Sequence, residues 1–313
     1  MNTEFLKNKV SELVAICKKS IADGENIVVT GHDMPDHDSI ISAVMLKELL
    51  ALLGVESKVK FCTRPDGVTL RGVRELGIYD EGFFCEFEER DRLILVDHHV
   101  SFYPNKVIGC VDHHTTPPTP ACEFALVVAA SSCGRVIYDM AMAAGACNEF
   151  LERLALQSVY LDTQSCRSPK FEKSDIPWLE EGIARHGLDR ERLEKLGFCL
   201  CDPCEDIEIL INYGYKQYEF GGKRGASSCV QIDVDKEDDW HPIINDLIGR
   251  IVCRIREENL IVWAFVVNKP EISRSDIYFI FPGGEVQTVK LDRLASRSRD
   301  VIPVVEKIAQ ALA

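Results

Sequence analysis

The chain has 313 residues, 46% hydrophobic and 27% charged, the make-up of a globular protein long enough for two cores. Fifty acidic against thirty-six basic residues leave a formal charge of -14, a field that repels long duplex nucleic acid while leaving small anions open as partners. No run of 18 apolar residues marks a membrane span and the opening MNTEFLKNKV has no signal-peptide core, so a cytoplasmic protein is expected.

In chain order, Leu6, Val10, Leu13, Val14, Cys17 and Ile21 have helical spacing and predict a helix over 5–21, stopped by Gly24. Residues 26–30 read as a buried strand, and 46–53 as part of a second helix ending at Gly54. Short apolar runs at 59–62, 93–96 and 107–111 read as parallel strands covered on both faces. Helices over 131–144 and 148–161 follow. Strands alternating with helices imply an α/β fold class, a largely parallel sheet flanked by helices. Residues 167–203 mix helical stretches with Pro169, Pro177, Gly187, Gly197 and Pro203. We therefore expect a catalytic domain over 1–190, a linker over 191–224 and a smaller C-terminal α+β domain over 225–313. Its strands are placed at 229–234, 260–267 and 277–281, with an amphipathic helix at 243–256 and a closing helix at 301–312.

Thirteen cysteines, an odd number, are expected as reduced thiols. Cys199, Cys201 and Cys204 cluster in CLCDPC. Three thiolates with no regularly spaced fourth ligand read better as a Cys-rich connector than as structural zinc, with a thiol- or zinc-based redox sensor as the rival.

The aspartates and histidines are more informative. The first strand runs directly into Gly31-His32-Asp33-Met34-Pro35-Asp36-His37-Asp38-Ser39. Pro35 disfavours helix at Met34, which puts His32, Asp36 and Asp38 on a turning loop, with Asp38 or Ser39 free to cap the next helix. Asp97 ends one strand, Asp112-His113-His114 ends another, and Asp162 ends a helix. Groups just past the carboxyl ends of parallel strands converge on one edge of a sheet. Asp36, Asp38, Asp97 and Asp162 would meet there with His32 and His113. A single Asp after a strand is usually a turn residue or cap; several such ends with an H-x₃-D-x-D loop point to a site instead. Four carboxylates repel one another until cations balance them. Two divalent ions do so, and mixed imidazole and carboxylate ligands suit Mn²⁺, with Mg²⁺ or Co²⁺ as alternatives.

GHDMPDHDSIISA, LILVDHH, CVDHHTTP and SVYLDTQSCR, in that order, resemble the four motifs of the DHH phosphoesterase superfamily. Its members include RecJ-type exonucleases, family II inorganic pyrophosphatases, cyclic-dinucleotide phosphodiesterases and oligoribonuclease/pAp phosphatases. Of the two Asp-His-His triplets, the second follows a strand and precedes Thr-rich sequence, so it takes the place of the naming motif. The first supplies only Asp97; His98 and His99 are extra. The resemblance implies one metal held by His32, Asp36 and Asp97, and another by Asp38, Asp97, His113 and Asp162, with Asp97 bridging. It also implies that His114 faces the phosphate, that Asp112 orients a histidine, and that a water between the ions is the nucleophile.

Many relatives carry a DHHA1-type second domain whose Gly-Gly-Gly-His motif grips the substrate. Residues 272–275 resemble the Arg-Ser stretch before that motif, but Gly283-Gly284-Glu285 lacks its histidine. Arg274, Ser275, Gly283 and Gly284 are the substrate-binding candidates, with a plain hairpin turn as the rival for the two glycines. The resemblance implies hydrolysis of an ester of a small nucleotide, such as a short oligoribonucleotide or pAp. Pyrophosphate or polyphosphate hydrolysis, and a catalytically silent nucleotide-binding regulator, stay open as alternatives. A homodimer is compatible with each.

Overall fold

Asn2 caps the first helix, its side chain accepting the N–H groups of Glu4 and Phe5, and α1 (Thr3–Ala22) buries Leu6, Val10, Leu13 and Cys17 along one face. Each such side chain contributes about 1.5–3 kcal/mol when fully buried. The computed structural model of the protein describes residues 2–99, 106–114 and 122–312. These fall into two units, Met1–Pro65 with Thr69–Cys166 and Lys170–Gly197, and Asp66–Val68 with Arg167–Pro169 and Phe198–Ala313. Among the described residues no helix is long and apolar enough to cross a membrane.

In the first unit, β1 (Asn26–Thr30), α2 (His37–Leu52), β2 (Lys58–Val59) and α3 (Gly67–Glu75) precede β3 (Asp91–Val96) and β4 (Val107–Asp112). Then come β5 (Phe124–Val127), α4 (Cys133–Ala143), α5 (Glu149–Asp162), α6 (Ile176–His186) and α7 (Arg190–Phe198). The five strands form an all-parallel sheet in the order β2-β1-β3-β4-β5. From β1 the chain steps outward to β2 and then returns to β3 on the other side. Such a reversal opens a crevice at the carboxyl ends of the two central strands. Helices α2, α4 and α5 pack on one another beside the sheet.

α2 begins at His37, two or three residues ahead of the start that a cap at Asp38 or Ser39 implies. Residues from His37 through Ala43 are all buried, so this stretch has no apolar stripe to betray a helix. The short β5 and α3 were not expected either. The Thr-rich residues 115 and 116 lie outside the described residues.

In the second unit, α8 (Ile207–Asn212) leads into β6 (Lys216–Phe220) and β7 (Lys223–Gln231). After α9 (Glu237–Glu257) come β8 (Val262–Lys269), β9 (Arg274–Ile280), β10 (Val286–Leu291) and α10 (Ile302–Ala311). The sheet order is β10-β9-β8-β7-β6; α9 makes β7 and β8 parallel, and the other pairs are antiparallel. Alternation along β8 separates two cores. Trp263, Phe265 and Val267 pack with Trp240, Ile244, Leu247, Ile251 and Ile255 of α9, whereas Val262, Ala264 and Val266 pack with Val301 and Val305. With both faces covered, β8 reads as one continuous apolar run. The expected linker, 191–224, holds most of α7, all of α8 and the edge strand β6.

Candidate metal centre

The site grows from the carboxyl ends of β1, β3 and β4 and the end of α5, all in the first unit. Gly31, directly after β1, permits a close approach: a Cβ there would lie 2.6 Å from Ser39 Cβ. Asp36 caps α2, its side chain accepting the Ser39 N–H at 3.1 Å. This corrects the expectation that Asp38 or Ser39 would be the cap. In the first turn of α2, Asp38 is buried and faces the start of α4. It accepts the N–H groups of Cys133 and Gly134 at 2.7 and 3.1 Å and the Ser158 hydroxyl at 2.6 Å. A helix N-terminus favours a carboxylate in that position.

Directly after β3 comes Asp97, whose φ of +62° turns the chain abruptly. Asp tolerates that left-handed conformation better than most residues. Its Oδ2 accepts the Ser39 hydroxyl at 2.8 Å and lies 3.6 Å from His32 Nε2. His32 Nε2 is also 3.5 Å from Asp36 Oδ2. From the end of β4, His113 Nε2 lies 3.2 Å from Asp97 Oδ1 and 3.7 Å from both Asp38 Oδ2 and Asp162 Oδ2. The structure thus gathers all six residues expected as metal ligands. Three sets have their ligand atoms within 4.8 Å of one another: His32, Asp36 and Asp97; Asp38, His113 and Asp162; and Asp97, Asp112, His113 and His114. The first two hold the six expected ligands.

Three features fit this cluster to cations. Asp97 Oδ1, His113 Nε2 and Asp162 Oδ2 are buried without a hydrogen-bond partner among the described residues, which in a native interior calls for a missing ligand. The Nδ1 atoms of His32 and His113 lie 2.9 and 3.1 Å from the main-chain oxygens of Asp33 and Ala130. A carbonyl can only accept, so each ring carries a proton on Nδ1 and turns its Nε2 toward the carboxylates, the nitrogen through which such an imidazole would bind a metal. The charges are also frustrated. Burial, with Asp97 and Asp162 close by, pushes the Asp38 carboxyl up to about 7. Burial opposes charge on His113, but the carboxylates of Asp97, Asp162 and Asp38 lift it to about 10. Lys170 Nζ pairs with the other oxygen of Asp162.

Asp112, fully buried, accepts the N–H and the ring Nδ1 of His114 on one oxygen, at 3.0 and 2.9 Å. Asp112 was expected to orient a histidine, and the one on this oxygen is His114. His114 is half exposed, and its ring stands edge-on to that of His113 with centroids 4.3 Å apart. The first triplet is not extra to the site. His98 stands edge-on to His32, centroids 6.2 Å apart, and buried His99 reaches the second oxygen of Asp112 at 2.5 Å. Sequence reasoning set His99 aside as extra, saw Ser39 only as a cap candidate, and missed Lys170, Ser158 and the amides of Cys133 and Gly134. The doubled triplet was the only visible signal for His99.

The remaining candidates belong to the second unit. Arg274 opens β9, largely exposed, with Nε 3.5 Å from Asp292 Oδ1. Ser275 is buried; its hydroxyl donates to Asn268 Oδ1 at 2.5 Å and accepts the Ala295 N–H at 2.9 Å. That hydroxyl serves the packing of its own unit, a correction to the expected substrate contact. Gly283 and Gly284 form the turn of the β9–β10 hairpin, Gly284 at a φ of +88° where glycine is favoured. Cys201 is buried in a core and Cys204 is exposed; among the described residues, none of the ligand groups contains a cysteine.

Residues 26–163 match the DHH family, N-terminal domain. A probable manganese-dependent inorganic pyrophosphatase of Deinococcus radiodurans is 29% identical over 210 residues, covering 62% of this chain and 66% of that protein. The manganese-dependent inorganic pyrophosphatase of Methanocaldococcus jannaschii is 25% identical over 320 aligned positions, 89% of this chain and 98% of its own. A crystal structure of a Methanococcus jannaschii protein assigned to family II inorganic pyrophosphatases superposes with a TM-score of 0.72 at 21% identity. The superposition covers 91% of this chain and 99% of that one and shows a shared fold. The motif residues gathered at the strand ends all lie within residues 26–163, the part of the chain that matches the DHH family.

Proposed function

We propose that this chain is a metal-dependent phosphohydrolase whose substrate is a small phosphoanhydride, inorganic pyrophosphate first. The observation that carries the reading is the place of Asp97, whose two oxygens face His32 and His113 and so join the two ligand sets. His32, Asp36 and Asp97 would hold one divalent ion; Asp38, Asp97, His113 and Asp162 would hold the other. The manganese-dependent relatives and the mixed nitrogen and oxygen donors favour Mn²⁺. When bound, such ions acidify a water and neutralise phosphoryl oxygens.

The chain's own residues do the rest. Asp112 holds a proton of His114 on Nδ1, which turns Nε2 of a half-exposed ring outward, where in its protonated form it can donate to a phosphoryl oxygen. Ser39 holds Asp97 in its turn, and the amides at the start of α4 hold Asp38. Pyrophosphate takes precedence over the nucleotide ester because a pyrophosphatase aligns with 89% of the chain, both units included.

Phosphate release from pyrophosphate, tripolyphosphate, pAp and a dinucleotide, measured with Mn²⁺-loaded protein, tests the proposal. Fastest turnover of pyrophosphate is expected. Turnover of pAp or the dinucleotide alone would replace the substrate, and no turnover of any would favour the silent regulator.

A further inference from the structure

His99 belongs to none of the ligand sets, yet it is buried against the site. Its Nδ1 lies 2.5 Å from Asp112 Oδ2, while Asp112 Oδ1 accepts the N–H and ring Nδ1 of His114. One inaccessible carboxylate is thus held between two imidazoles, one from beyond the end of β3 and one from beyond the end of β4. An aspartate is ionised at neutral pH and then only accepts hydrogen bonds. Both rings therefore carry a proton on Nδ1, and the nitrogen of His114 left to face substrate is Nε2.

Two donors on opposite oxygens do what one cannot. A carboxylate pinned through Oδ1 alone can turn about its Cβ–Cγ bond. Its buried Oδ2, without a donor, would cost about 1–3 kcal/mol. Turning would relieve that cost and would carry the Nδ1 anchor of His114 with it. His99 supplies the second donor and removes the incentive to turn. It comes into reach because the chain leaves β3 through the left-handed turn at Asp97, two residues earlier.

We propose that His99 is a positioning residue: acting through Asp112, it sets the tautomer and orientation of the His114 ring. The proposal rests on the reading of His114 as the group that meets the phosphoryl oxygen. A side chain that only filled space would be replaceable by any residue of similar size.

Three variants of the full chain separate these roles. His99→Asn keeps an amide N–H close to where Nδ1–H stands, His99→Gln carries it one bond further, and His99→Leu removes it. With Mn²⁺ and pyrophosphate, His99→Leu and His99→Gln should lower kcat about 10- to 100-fold, as loss of an outer hydrogen-bond partner does. KM and Mn²⁺ stoichiometry should stay near wild type, and His99→Asn should recover most of the lost kcat. Nitrogen-15 NMR of the diamagnetic Mg²⁺ form gives a readout without turnover. The His114 Nδ1–H proton should be visible in wild type and His99→Asn and lost to exchange in the other two. Equal kcat for the Asn and Gln variants would overturn the proposal, and that pair decides even if the Leu variant fails to fold. If wild type hydrolyses nothing, the functional reading falls by itself. The NMR comparison then decides, and a His114 signal retained in the Gln variant would overturn the role of His99.

Discussion

Asp97 does two things at once: its backbone turns the chain out of β3 with φ at +62°, and its two oxygens face imidazoles from opposite sides. Asp97→Asn keeps the shape and removes the charge shared between the two ligand sets. Mn²⁺ binding should fall from about two equivalents to one or none, and turnover should drop by about 10³-fold, the equivalent of roughly 4 kcal/mol. Retention of two equivalents by equilibrium dialysis would sink the shared-ligand reading. The titration of the same cluster makes a second prediction, for metal-free protein. Asp38 is raised from 3.8 to about 7, so the folded state holds a proton that the unfolded chain has released, and stability falls as pH rises through that window. His113 is raised from 6.5 to about 10; its contribution is complete below 6.5 and is lost as pH climbs through 10. Both run the same way. The melting temperature of metal-free protein should therefore be lower at pH 8 than at pH 6. The gain on adding Mn²⁺ should be larger at pH 8, where fewer protons must be displaced. A metal-free melting temperature that rises over this interval would contradict the charge frustration described for the site.

At the scale of elements, the cluster depends on how α2, α4 and α5 approach one another. Gly134 makes the approach possible: a Cβ there would lie 2.4 Å from Ser158 Oγ on α5. Ser158 and the Gly134 amide both donate to Asp38, so packing and ligand position are coupled. Gly134→Ala should cost about 1–3 kcal/mol in urea unfolding, the usual penalty for an overfilled contact. It should also weaken Mn²⁺ binding; unchanged affinity would separate the helix packing from the site. The strands that deliver the ligands were legible because apolar runs of four to six residues ended in Asp or Asp-His-His. The start of α2 showed only in its polar cap candidates, since residues buried on every side carry no period. β10 was missed for the opposite reason: its residues are almost all exposed, so no alternation marks a core face.

For the whole molecule, a formal charge of -14 means that an anionic substrate needs local cations to be held. Arg274 is the candidate in the second unit, largely exposed and able to offer a planar fork to phosphate oxygens. Arg274→Ala is expected to raise KM for pyrophosphate about 10-fold with little change in kcat, since a grip common to ground and transition states is lost. Hydrolysis of a small artificial monoester should barely change. Equal losses on both substrates, or on neither, would place specificity in the first unit alone.

The sequence by itself determined the fold class, the two-part chain and the six residues that meet at the strand ends. Each rests on a short-range pattern: alternation of apolar runs, and acids or histidines placed directly after them. Tertiary structure alone decided that Asp36 and not Asp38 caps α2, that Ser275 is engaged within its own unit, and that His99 shares Asp112 with His114. These depend on which atoms of distant segments come within 3 Å of each other. Residues 99 and 112 lie on separate strand ends, and no local preference of either one encodes the distance between them.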